Sequence, residues 1–208
     1  MKHRKKWRPH RRSRLHKKLR RGNNRQVLKE ELRTVMLGEE DFDVYGDNGI
    51  SAAGKEANCR VNGFHCAENP LDCLTYYPDM SRSVYYVVRP GGDIDEDALD
   101  SKIACTELTI LKQLSREEFF LHALAYMMDH PFRTWNCRVR KDKGSAMNGY
   151  AIVRGADPLA QGNKGDILAL AKEEPGTKQI TQIALIIVDG KTIQANTWYD
   201  VNSEKRKK

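Results

Sequence analysis

Twelve residues near the N-terminus have the types and density that phosphate recognition requires: Arg4, Lys5, Lys6, Trp7, Arg8, Arg11, Arg12, Arg14, Lys17, Lys18, Arg20 and Arg21. Arginine forks pair bidentately with phosphate oxygens and stack on bases, lysine supplies a compact charge, and Trp7 offers a ring on which a base can stack. Residues 1–33 carry 15 Lys and Arg, nine of them Arg, against two acids, with three His interleaved. If six to eight of these cations contact phosphates, log K falls with log salt at a slope of about −5 to −7 on duplex DNA, and binding is largely blind to sequence. An arginine-rich segment that orders on RNA fits the same composition. The alternatives are a solvated tail and an arm that docks on the body or on an acidic protein partner. A membrane surface is disfavoured, because Trp7, Leu15 and Leu19 do not make the broad apolar face of a basic amphipathic helix.

Other residues with chemical potential carry weaker patterns. Cys59, His65, Cys66, Glu68, Asp72 and Cys73 are zinc-ligand types. Their cysteines, however, are seven positions apart rather than the three to five of a zinc knuckle, and His65 adjoins Cys66. No metal and no cofactor is expected. His65 or His122 with Cys66, Cys105 or Cys137 gives a notional Cys–His pair without any local nucleophile signature. The acids at 93, 95, 96, 97 and 100 lack the glycine and closing glutamate of a calcium loop, and read as a solvated acidic loop. Glycines 155, 162, 165 and 176 form neither GxGxxG nor a P-loop.

Around these residues the chain is 208 residues long, 39% hydrophobic and 31% charged, enough for one domain or two small ones. Residues 34–202 hold 17 Lys and Arg against 25 acids, a net −8, and residues 203–208 add +3. The molecule is an acidic body with a strongly basic arm. No apolar run reaches the ~18–20 residues of a membrane span. No apolar segment of the signal-peptide kind follows the basic start, and five cysteines are an odd number for a disulfide framework. The chain therefore reads as cytoplasmic, with reduced and mostly buried thiols.

The elements follow from spacing and caps. The arm to about Asn24 is flexible or partly helical, and Val27, Leu28, Leu32, Val35 and Met36 fit one face of a helix over 25–36, with Gly38 as its C-cap. Asn69-Pro70-Leu71-Asp72 opens a helix ending near Tyr77. Ser83–Arg89 reads as a strand stopped by Pro90-Gly91-Gly92, and Asp93–Asp100 as a loop. Lys102–Leu114 is a strand or two. Ser115-Arg116-Glu117-Glu118 is a capping box for a helix ending before Pro131, apolar around most of its circumference and hence placed inside, against a sheet. Trp135–Lys143 reads as a basic connection. Tyr150–Arg154, Asp166–Lys172 and Ile180–Val188 are strands, and Asp189-Gly190 signals a hairpin into short strands at Ile193 and Trp198–Val201.

The run Asn62–Tyr77 (NGFHCAENPLDCLTYY), followed by Asp100-Ser101-Lys102-Ile103-Ala104, resembles an uncharacterised domain of phage and prophage proteins. Gly149–Val201, with Lys164-Gly165-Asp166-Ile167-Leu168-Ala169 and Thr197-Trp198-Tyr199-Asp200, resembles the C-terminal module of the same proteins. Together the resemblance covers roughly residues 41–202. Relatives often carry a long small-residue repeat between the two parts, where this chain has only about Phe132–Asn148, and the basic arm is not part of the pattern. The resemblance implies a mobile-element origin and a two-part body, and implies no activity.

The expected fold class is α+β: small mixed or antiparallel sheets with two or three helices, preceded by the basic arm. The expected divisions are an arm and the start of the first helix over 1–33, an α+β body over 34–131, a β-rich C-terminal module over 132–202, and a basic tail over 203–208. The leading functional expectation is a phage- or prophage-derived accessory protein that binds nucleic acid, RNA or DNA, or a nucleoprotein complex through the arm. A second is an inhibitor of a host defence system, such as an anti-CRISPR protein, docking on a nuclease–RNA complex. A third is an enzyme with a site near His65.

Overall fold

The computed structural model describes residues 35–38, 49–51, 63–96 and 101–207. Among them are eleven strands and two helices, so the α+β architecture is dominated by sheet.

The first half closes on itself. Strands β1 (Val35–Gly38), β2 (Gly49–Ser51), β3 (Phe64–Ala67), β4 (Val84–Glu96) and β5 (Lys102–Leu114) pair only antiparallel. β5 pairs with β3, β3 with β1, β1 with β4, and β4 with β5, a cycle that makes a small four-strand barrel; β2 adds to β5. Closure leaves few unpaired strand edges. Alternation along the strands sends Cys66, Val88, Ile103, Cys105 and Leu108 into one buried cluster, and Ala67, Tyr85, Val87 and Leu114 into another facing the helices.

Two sequence expectations change here. Pro90-Gly91-Gly92 does not stop the strand: β4 runs through it to Glu96, paired to β5, with a register shift between Gly91 and Ile94. Gly92 has φ +69, and a Cβ there would lie 2.2 Å from Thr106 Oγ1, which itself accepts a hydrogen bond from the Asp93 N–H at 2.9 Å. Glycine thus permits a bulge that bends the strand rather than ending it. Asp93–Glu96 are accordingly strand rather than acidic loop. Val35 and Met36 are also strand, not the last turn of a helix, and Gly38 ends β1 instead of capping. Backbone pairing to β3 on one side and β4 on the other outweighs a helical spacing that rests on few apolar residues. The remaining residues of that expected helix lie outside the described residues.

Both helices start where the sequence places them. In α1 (Pro70–Tyr76) the Asn69 side chain accepts from Leu71 N at 3.2 Å, with Pro70 in the first turn. In α2 (Arg116–Asp129) the Ser115 hydroxyl accepts from Glu118 N at 3.2 Å while the Glu118 carboxylate accepts from Ser115 N at 2.9 Å, a complete capping box. α2 packs against sheet, as expected, but is not surrounded: Phe119, Phe120, Ala123, Leu124 and Met127 are buried while Leu121 and Met128 face solvent.

The second sheet comprises β6 (Val139–Ser145), β7 (Tyr150–Gln161), β8 (Ile167–Glu173), β9 (Ile180–Ile187), β10 (Trp198–Tyr199) and β11 (Lys205–Arg206). β6 pairs parallel with β7, and β7 parallel with β8, across connections of only a few residues. A straight twelve-residue strand spans ~40 Å, and five connecting residues return only ~18 Å, so such pairing requires the strands to fold back. They do: the β6–β7 register jumps from Lys141↔Arg154 to Lys143↔Leu159, and Ala146 N donates to Gln161 O while Met147 N donates to Tyr150 O. The bends nest. Asp142 (φ +58) sits at one, and a Cβ on Gly155 at the other would lie 2.0 Å from Asp142 Oδ1. The expected basic connection Trp135–Lys143 therefore ends inside a strand. The Asp189-Gly190 hairpin is absent as well: Asp189 accepts from Lys191 N at 2.7 Å and Ile193 N at 2.9 Å, closing a loop with no strand at Ile193. These local hydrogen bonds satisfy the backbone in place of a ladder.

Ala151, Val153, Ala160, Leu168, Leu170, Ile186, Val188, Tyr199 and Val201 fill the inside of the bent sheet. The largest cluster lies between the halves, joining Tyr85 and Val87 of the barrel, Leu71 and Leu74 of α1, Phe119, Phe120 and Leu124 of α2, and Tyr150, Ile152 and Ile167 of the sheet.

Candidate functional site

The residues that bind the two halves also build a cleft. Asp72 lies in the first turn of α1 and gathers four hydrogen bonds. Its Oδ1 accepts from Asn69 Nδ2 at 3.2 Å and Asn136 Nδ2 at 2.9 Å; its Oδ2 accepts from the Ser101 N–H at 3.2 Å and hydroxyl at 2.7 Å. The Ser101 hydroxyl oxygen accepts in turn from Asn69 N at 2.9 Å. The segments around Asp72 and Ser101 are thus joined in one hydrogen-bonded latch. α1 is short, and carbonyls it leaves open are met by distant side chains: Asn136 Nδ2 donates to Leu71 O at 3.1 Å and Arg138 Nη2 to Leu74 O at 2.5 Å. Replacing Asp72 by alanine is expected to cost about 2–3 kcal/mol, since it leaves both donors of the buried Ser101 without an acceptor and takes one of two acceptors from the Asn136 amide. A urea titration checks this, and Ser101→Ala should cost less.

The latch holds the segment 130–136 against α2 and β7. A cavity of about 20 Å³ opens there, lined by Asn69, Leu71, Tyr126, Met127, His130, Arg133, Thr134, Trp135, Asn136, Val139 and Arg154. That is room for one water-sized group. Arg154, on β7, is 2% exposed. Its Nε donates to Glu173 Oε1 at 2.7 Å, and Nη2 donates to Pro131 O at 2.6 Å and Lys178 O at 3.0 Å. Its guanidinium lies 4.9 Å from the centre of the Trp135 ring. Opposite, the Tyr126 ring stacks on His130 at 4.2 Å, and the His130 ring nitrogen Nδ1 contacts Tyr126 O at 3.1 Å. The Tyr126 hydroxyl is buried, without a hydrogen-bond partner of good geometry, and the Arg133 side chain lies beside it. Burial pushes its pKa up against a smaller downward pull from Arg133 beside it, so it stays a neutral phenol able to donate.

The twelve arm residues Arg4 to Arg21 lie outside the described residues, as does Cys59. His65 is exposed on β3, while Cys66, the next residue, turns to the opposite, buried face. Cys73 and Cys105 are buried and Cys137 is exposed. His122 is on α2, where burial lowers its pKa below the usual 6.5 and Lys112 lowers it further. Among the described residues no three His, Cys, Asp or Glu come together as metal ligands. Among them, too, no helix is long and apolar enough to cross a membrane. Sequence reading missed Arg154, Trp135 and Tyr126. Only the alternation of β7 hinted at Arg154, an arginine in an otherwise apolar run.

The family described as Domain of unknown function (DUF7666) matches residues 41–122. That span holds Asp72 and Ser101 but neither Asn136 nor Arg154, so the latch and the cleft reach beyond it. No curated protein and no solved structure matches the chain.

Proposed function

We propose that this chain is a phage- or prophage-derived accessory protein that works in the bacterial cytoplasm and binds nucleic acid, alone or in a nucleoprotein complex, through its N-terminal arm. One observation carries the reading: residues 1–33 concentrate a net +13 immediately before a body of net −8. A polyanion is the partner that such an arm attracts, and the excess of positive charge draws the main contacts there. The cations are Arg4, Lys5, Lys6, Arg8, Arg11, Arg12, Arg14, Lys17, Lys18, Arg20 and Arg21, with Trp7 available for stacking.

The test is a full-length variant with Arg11, Arg12, Arg14, Lys17, Lys18 and Arg20 changed to serine, titrated against duplex DNA from 50 to 300 mM salt. If all six contact phosphates, the log–log slope becomes shallower by about 5. A variant that binds with the parent's affinity and slope removes the arm from the account.

A further inference from the structure

We infer that the surface beside the Arg154 cleft is a second nucleic-acid contact, which takes single-stranded nucleic acid by stacking a base on Phe132 and pairing phosphates with Arg133 and Lys141. The inference rests on the nucleic-acid reading above but not on the arm. Three observations converge on the surface around Arg154. Phe132 is 69% exposed, the most exposed of the large hydrophobic side chains among the described residues. It follows Pro131, whose carbonyl is held by Arg154, so its backbone is fixed at the cleft. Lys141 is opposite Arg154 in the β6–β7 register and therefore on the same face of the sheet, and it is exposed, as is Arg133. Neither Arg133 nor Lys141 makes an ion pair among the described residues.

An exposed aromatic flanked by unpaired cations is the arrangement that tracks single strands, because every base has a face to stack and every nucleotide a phosphate. A duplex hides its base faces. Phe132 gives it nothing to read, so discrimination between strands is the property that separates this contact from the arm's.

The experiment uses the full chain with labelled dT15 and a 15-base-pair duplex. Phe132→Ala is expected to weaken dT15 binding roughly tenfold with unchanged salt slope and unchanged duplex affinity. Arg133→Gln with Lys141→Gln should make the dT15 slope shallower by about 1.4. Phe132 is so exposed that its truncation leaves the core intact. If both cleft variants bind dT15 as the parent does while the arm variant loses binding, this inference falls and the arm reading stands. If the cleft variants lose binding while the arm variant does not, the reverse holds. Equal weakening of dT15 and duplex by Phe132→Ala overturns the single-strand claim, and a parent that binds neither probe overturns both readings.

Discussion

Arg154→Ala is expected to lower the unfolding free energy by about 3–5 kcal/mol, which in a chain of this length is a fall in Tm of roughly 10 °C. The reason is what the substitution leaves behind. Glu173 is only 16% exposed and would keep a charge without its partner. The Pro131 and Lys178 carbonyls would lose their donor, and Trp135 the cation beside its face. Stranding one member of a buried pair costs much more than removing both, because the survivor has neither water nor a counter-charge. The control is therefore Arg154→Met with Glu173→Leu. This double variant is expected to be more stable than Arg154→Ala by at least 1 kcal/mol in urea denaturation. If it is no better, the loss comes from packing and the two unmet carbonyls rather than from an orphaned carboxylate.

Phe120→Ala should cost a similar amount, about 3–5 kcal/mol, and with a wider reach. Phe120 is fully buried, and the aromatic contacts around it run across the molecule. Tyr85 of the barrel lies 4.4 Å from Phe119, Phe119 lies 5.4 Å from Phe120, and Phe120 lies 4.9 Å from Tyr150 of the bent sheet, centre to centre. Removing one ring opens a cavity that neither half can close alone. The expected result is a single transition moved to lower denaturant, with tryptophan fluorescence and far-ultraviolet dichroism still coincident. Trp135 and Trp198 report from the second half, so an unmoved fluorescence transition would show that the halves do not share a core.

How far this molecule could be read in advance depended on the range of the interaction. The helix starts at Asn69-Pro70 and Ser115–Glu118 were legible because a cap is a contact over three residues, complete within the motif. The strands Ser83–Arg89 and Tyr150–Arg154 were legible from β-branched and aromatic runs. Val35-Met36 and Pro90-Gly91-Gly92 were misread because their strand character comes from partners far along the chain, and a bulge is indistinguishable locally from a stop. The cleft was invisible for the same reason: Asp72 looked like a helix-start acid, and nothing in sequence joined it to Ser101 and Asn136.

The amino-acid sequence alone determined the charge division between arm and body, since net charge is a sum over residues that no folding changes. It also determined where the two helices among the described residues begin. Tertiary structure decided the closure of the barrel, the doubling back of β6 and β7, and the burial of Arg154 beside Glu173. Each of these is a pairing whose favourable free energy appears only when segments remote in the chain meet, so no window of sequence contains it.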